Sequence, residues 1–402
     1  MVAIVMLGML FAVGLAIDAG QLFNGRRTAQ EAADAAAFAG ATVLYQSGTT
    51  AQAISAATAD ASLNGYATDT PTSGTTVTVN NPPTSGAFSG QALYVEVIIQ
   101  TPVRTSLVPQ QSAFTTVRAR AVAGAVTINS GFAVMSLDQQ CHDDAISISS
   151  NGSLTLSGGG IQINSCGTPA GDSSGTVTIA APYGTSSVGT LSGTWPSSHT
   201  GQPVQPDPLA GLAKPSTNGL SSYSPACPPS INQPGVYTTT FSSNCDYVFA
   251  PGTYIFKGGG VNLAGNSSMC TGPTCGTPTA AGGVFFFLTS STYPSTGGSC
   301  ASFTLHGNNL TTLSPPTSGT YQGLLIYVDG NCSTTLDVGG NGAIITTGTI
   351  YAPNVTIAGN GNNAVISASQ IIAKTITAQN ADFTISYDSA VTYQGKTPAL
   401  VE

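Results

Sequence analysis

The sequence predicts a mainly β protein in which a long N-terminal α-helix with a small α+β module precedes a parallel β-helix-like domain. Three observations predict it. The first residues, MVAIVMLGMLFAVGLAI, are apolar and uncharged, and they lead into a proline-free, alanine-rich run. Beyond residue 70 the apolar spacing changes from helical to alternating, with Pro, Gly and Ser between the runs. From residue 129 onward, short strands closed by Gly and Asn recur at a period of about twenty residues, as solenoid coils do.

Composition sets the frame. Only 6 % of the 402 residues are charged, against roughly 25 % in ordinary soluble domains. At 41 % hydrophobic the chain has enough apolar side chains for a core, and 48 Gly with 24 Pro favour strands and turns over helical bundles. The net charge is −8 with nine Lys and Arg in all. Phosphate binding needs clustered cations, so no nucleic-acid partner is expected.

As a helix, the uncharged start spans about 25 Å, close to the thickness of a bilayer core. It predicts membrane residence; a buried core helix and a cleaved signal segment are the alternatives. No Ala-x-Ala site with extended chain follows. Instead Asp18-Ala19-Gly20 leads through Arg26-Arg27 into strong helix formers, so one helix is expected over 1–47. The positive-inside rule puts Arg26 and Arg27 on the cytoplasmic side, which opposes the export that the cysteines imply. Ala29 to Gly40 is nearly all Ala, Gly or small polar residues. Such a surface serves either close packing on another helix or packing on the helix's own domain.

The order of residues here resembles a family. The run GLAIDAGQLFNGRRTAQEAADAAAFAGA, residues 14 to 41, is similar to the N-terminal segment of TadG-like proteins of tight-adherence (Tad or Flp) pilus systems. The likeness is carried by the apolar stretch, Asp18 and Gly20, the pair Arg26-Arg27, and Gln30, Ala32, Ala33 and Asp34. ATADASLNGY, residues 57 to 66, fits the family's second alanine-rich helical piece. Two features depart from pilins: no leader is expected before the apolar run, and Val5 stands where a processed type IV pilin carries Glu. The resemblance implies pilus or filament subunits as partners through the N-terminal helix, the membrane as partner during assembly, and a location from cell envelope to extracellular.

TTVTV at 75–79, LYVEVIIQ at 93–100 and FTTVRARAVAGAV at 114–126 read as strands of an antiparallel sheet lying on the helix. With the second helix they make 48–128 a small α+β, pilin-like module. All five Arg lie at or before Arg120, and Lys214, Lys257, Lys374 and Lys396 are the only cations beyond, so a boundary is expected near residue 128.

In the remaining stretch, 129–402, TIYAPNVTIAGN (349–360) aligns with QIIAKTITAQN (370–380), putting Ile350 over Ile371, Ala352 over Ala373 and Val355 over Ile376. SLTLSGG at 153–159, VNLAGN at 261–266 and FTLHGNN at 303–309 are shorter copies. Gly and Asn suit the turns because they accept left-handed backbone angles. A β-sandwich is the alternative fold. Residues 251–353 also resemble the C-terminal part of some TadG-like surface proteins, through PGTYIFKGGGVNL, GVFFFLT, LSPPTSGTYQGLLIY and GTIYAPNVTI.

All eight cysteines fall in this part, which points to disulfides and an oxidising compartment. Nearest-neighbour pairing joins Cys141 to Cys166, Cys227 to Cys245, Cys270 to Cys275 and Cys300 to Cys332, one of 105 connectivities. Zinc is the weaker reading, since no Cys-x-x-Cys occurs and the three His are scattered.

Catalysis finds little support. A lyase or hydrolase on such a fold needs clustered carboxylates, and a lyase also a nearby cationic base. The one dense acidic spot is Asp138 with Asp143 and Asp144, a weak calcium candidate that reads more simply as a solvated loop. No cofactor fingerprint is present, and no enzyme activity is expected. The sequence therefore predicts a non-enzymatic structural or adhesive filament component. The alternative is an envelope-tethered carbohydrate-binding or carbohydrate-active β-helix protein, with a surface or glycan receptor as partner. Tyr183, Trp195 and Tyr223, in the Pro-rich stretch 182–234, would line its groove or equally cover a coil end; a flat Ser/Thr/Asn surface would favour assembly or adhesion.

Overall fold

The computed structural model describes residues 2–46, 48–68, 74–105, 114–128, 131–242, 245–271, 283–308, 310–393 and 395–402. The chain divides into two compact units, one of Met1–Ile128, Pro208–Ala213 and Gly395–Glu402, the other of Asn129–Asp207 and Lys214–Gln394.

In the first unit, helix α1 (Val2–Tyr45) runs unbroken because no proline interrupts it. Helix α2 (Thr50–Leu63) starts at a capping box, in which the Thr49 hydroxyl accepts from the Gln52 amide and the Gln52 side chain accepts from the Thr49 amide. Strands β1 (Thr76–Asn80), β2 (Tyr94–Arg104), β3 (Phe114–Ile128) and a C-terminal strand Gly395–Leu400 form one antiparallel sheet in that order. Ala29, Ala32, Ala33, Ala36, Ala37 and Ala41, spaced for one helix face, are buried with Ala53, Ala57 and Ala61 of α2 and with Val95, Val97, Ile99, Ala119, Ala121 and Ala123 of the sheet. The alanine surface thus serves the helix's own unit, and α1 shares a core with the rest of residues 1–128 instead of standing apart as 1–47.

The expected span 129–402 needs a correction at its end. Residues 395–400 pair antiparallel with β3, and Ile128 is the register partner of Gly395. The second unit is therefore inserted between two neighbouring strands of the first. Pro398 discourages a strand reading, but it is tolerated because this strand is the sheet's edge.

The second unit is a parallel sheet wound in layers of three strands. Thus Gly252–Lys257 pairs with Val284–Thr289, Gly260–Leu263 with Ser302–Gly307, and Met269–Thr271 with Leu310–Leu313. Order along the stack is not chain order. From 235–249 the layers advance through 252–271, 284–313, 324–346, 349–368 and 370–385; the next layer is 132–156, where the chain entered, followed by 160–180 and 185–192, on which Ser198–His199 stacks. One inward row shows the continuity: Phe286, Ile326, Ile350, Ile371, Val134 and Ile161 are successive register partners, all fully buried.

The Pro-rich stretch from residue 200 returns the chain from one end of this stack to the other. It is fastened by the Asn164 amide, which donates to the Gln205 carbonyl at 2.8 Å and accepts from the Gln205 N–H at 3.0 Å. Tyr351 donates to Asp207 at 2.7 Å, and the Lys214 ammonium meets the buried Asp329 carboxylate at 2.6 Å. Thr289 holds the other Asp329 oxygen at 2.7 Å.

Two details of the aligned repeat follow from backbone geometry. Ile350 does face Ile371 and Ala352 faces Ala373, but Ile376 faces Ile357 and not Val355, because the register shifts between Ala352 and Thr356. At the next corner an asparagine ladder climbs the stack: Asn308 donates to Asn266 at 3.2 Å, Asn341 to Asn308 at 2.8 Å, and Asn363 to Asn341 at 2.9 Å. Beside it Gly307 has φ +101°, and a Cβ there would lie 2.6 Å from the Gly265 nitrogen. The recurrent Gly-Asn is thus a left-handed turn stacked on its copies.

Disulfides join Cys141 to Cys166, Cys227 to Cys245 and Cys300 to Cys332. The first and third link successive layers. Cys270 is also disulfide-bonded; Cys275 lies outside the described residues.

Candidate functional site

The most conspicuous surface belongs to α1. Val2, Ile4, Val5, Met6, Met9, Leu10, Phe11, Val13, Leu15 and Ile17 are all exposed, in a helix long and apolar enough to cross a membrane. Such a patch on a monomer marks an interaction site. Asp18 is the exception among its neighbours, only 3 % exposed. Of the other motif residues, Gly20 is exposed with open space around it. Arg26 is exposed too, while Arg27 pairs with Glu31 at 3.0 Å on the surface. Gln30 ties α1 to β3, since its amide donates at 2.8 Å both to Asp34 and to the Arg120 carbonyl. Ala32 and Ala33 are core.

A charged cluster escapes the sequence reading. Glu96, fully buried, accepts from Asn80 at 2.9 Å, the Thr84 amide at 3.1 Å and hydroxyl at 2.7 Å, Ser85 at 3.0 Å and Arg120 at 2.7 Å. Burial pushes its carboxyl up, but the bonds from Thr84, Asn80 and Arg120 outweigh that and hold it down at about 2. Arg120 also pairs with Glu402 and donates to the Ser85 carbonyl at 2.7 Å. Glu96 gathers donors from Asn80, Thr84, Ser85 and Arg120, and Arg120 carries the linkage on to Glu402, so the cluster reads as a structural clamp. Its members are dispersed between residues 80 and 402, which leaves no local signal.

The acidic spot is pulled apart. Asp138 is buried and bonded to the His142 ring at 2.9 Å and the Gln140 amide at 3.2 Å, while Asp143 accepts from the Thr168 amide at 2.8 Å. Burial, then Asp172 and Asp143, raise the Asp144 carboxyl above its ordinary value. Among the described residues no group of three His, Cys, Asp or Glu is placed to hold a metal. The three aromatic candidates do not meet either. Tyr223 pairs onto the first layer of the stack, Tyr183 precedes the 185–192 layer near the other end, and Trp195 is buried, donating to the Ser192 carbonyl at 2.8 Å.

The outer face of the second strand in each layer carries a polar row. Asn262, Thr304, Asp337, Ala358, Thr377, Ser147 and Asp172 are successive register partners. Beside this row, the Asp337 carboxylate meets the His306 ring at 2.8 Å and accepts from Asn360 at 2.9 Å. The row is mostly uncharged and rich in hydrogen-bonding groups.

With this geometry in place, comparison with known proteins gives one match. Residues 1–43 fit the family described as putative Flp pilus-assembly TadE/G-like. No curated protein and no solved structure matches the chain. The matched segment is the apolar part of α1 together with its alanine face.

Proposed function

We propose that this chain is a non-enzymatic component of a Tad-type pilus or related surface filament, held in the envelope by α1, with the second unit displayed as a parallel β-helix for surface contact. The observation that carries the reading is the set of exposed apolar residues on α1, inside the segment that fits the TadE/G-like family. Apolar side chains exposed on all but one narrow face of a helix call for lipid or for neighbouring helices. The mostly uncharged polar row supports adhesion or subunit packing over hydrolysis, because it presents many donors and acceptors. Disulfides between layers suit an oxidising, extracytoplasmic location.

The test is removal of the protein from cells that make such filaments, scoring surface attachment and filament composition, alongside glycan hydrolysis or elimination by the purified chain. Loss of attachment with no turnover is expected. Robust turnover that disappears in Asp143→Ala/Asp144→Ala, with attachment and filaments unchanged, would replace this reading by the carbohydrate-active one.

A further inference from the structure

Three exposed cations of the first unit, Arg26, Arg27 and Arg104, fall near one contact between α1 and β2. A Cβ on Gly25 would lie 2.5 Å from Val103 Cγ2, so α1 and β2 touch there with no room for a methyl group. That contact brings Arg26 and Arg27, next along the helix, to the level of Arg104, next along the strand, whose side chain by strand alternation lies on the face of the sheet away from α1. Arg104 is the register partner of Phe114. Phe23 and Phe114 are 75 % and 55 % exposed, far more than aromatic rings usually are in a folded unit.

The carboxylates do not neutralise this level. Among the described residues no ion pair engages Arg26 or Arg104, and the Arg27–Glu31 pair is largely exposed, where such pairs bind weakly. By contrast Arg120 is consumed by Glu96 and Glu402. Helix side chains lean toward the N-terminus, so Arg26 and Arg27 lean toward the apolar segment.

We propose that Arg26, Arg27 and Arg104, with Phe23 and Phe114, form a collar that binds anionic phospholipid headgroups where α1 enters the membrane. The proposal rests on the membrane-inserted reading of α1. Apolar helix, exposed aromatics and exposed cations follow one another along one axis, the order in which a bilayer presents hydrocarbon, interface and phosphate. A soluble phosphorylated partner would match the cations alone. The collar also gives the basic pair a role on whichever side the folded units lie: it engages lipid phosphates there, independent of the orientation rule that sets Arg26 and Arg27 against export.

The test uses the full chain with vesicles of phosphatidylcholine alone or with added phosphatidylglycerol, at low and high salt. Each Arg near an anionic surface raises partitioning about fivefold, so the three together predict a preference of about 100-fold at low salt, lost at high salt. Arg26→Gln/Arg27→Gln/Arg104→Gln should bind both vesicles equally and phosphatidylcholine as well as the parent does. Arg118→Gln, four positions farther along β3 from Phe114, should keep most of the preference. A parent chain that binds both vesicles equally, or a triple variant that keeps the full preference, overturns the collar and leaves the membrane reading standing. A parent chain that binds neither overturns both.

Discussion

Val134 and Ile371 sit opposite each other in adjacent parallel strands, although one lies in the first layer the chain builds and the other in the last. The second unit therefore closes at a seam between its two chain ends, and both residues are fully buried there. Ile371→Ala should cost about 2–5 kcal/mol, the usual range for deleting a packed aliphatic side chain. Chemical denaturation monitored separately in residues 131–199 and 222–387 should show both segments losing stability together. A transition confined to one side of the seam would count against the stacked order.

The Glu96 clamp predicts an acid-sensitive first unit. Its carboxyl is held at about 2 in the folded chain against an ordinary value of 4.5. Its stabilisation is thus complete above about pH 4.5 and is lost as pH falls toward 2. Glu96→Gln should lower stability at neutral pH by about 1–3 kcal/mol, the worth of hydrogen bonds to a charged group, and should flatten the pH dependence between those limits. Thermal melts across pH 2–7 read both effects.

Lys214 and Asp329 fasten the returning stretch. Burial raises the Asp329 carboxyl, but the Asn331 amide, Lys214 and Thr289 outweigh it and hold it below its usual range. Lys214→Met leaves a buried carboxylate with only neutral donors, a loss of about 3 kcal/mol. Asp329→Asn in the same background should recover part of it, which equilibrium unfolding measures. No recovery would mean that Lys214 acts through packing alone.

The disulfides should contribute separately. Cys141–Cys166 and Cys300–Cys332 close segments of 25 and 32 residues and each ties one layer to the next. Replacing either pair by Ser should cost about 2–4 kcal/mol in the chain-entropy account. Non-reducing peptide mapping checks the pairs themselves.

Much of the fold is legible in the residues. Alternating runs mark the strands β1 to β3, and Gly-Asn turns mark the layered region. What escapes has physical causes. Chain order along a solenoid leaves no local trace, so the seam at Val134 and Ile371 is invisible in the sequence, and the Pro-rich stretch that makes it necessary reads equally well as a cover for a coil end. Alignment sets Val355 over Ile376 because a register shift adds residues at a corner without altering the pattern of apolar types. Pro398 hides the C-terminal strand, and Glu96, Arg120 and Glu402 are joined only by folding. The alanine face offers two readings of equal chemistry, and only the buried contacts with α2 and the sheet separate them.

The central claim is that the exposed apolar part of α1 inserts into a membrane. Carbonate extraction of envelopes from cells making the full chain or Leu10→Arg/Val13→Arg tests it most directly. Both residues are exposed, and an Arg near mid-bilayer costs about 2.5–3.5 kcal/mol on the insertion scale. The account predicts that the parent chain stays with the membrane pellet and the double variant is released. A parent chain extracted into the supernatant, or a double variant retained as firmly as the parent, would contradict it.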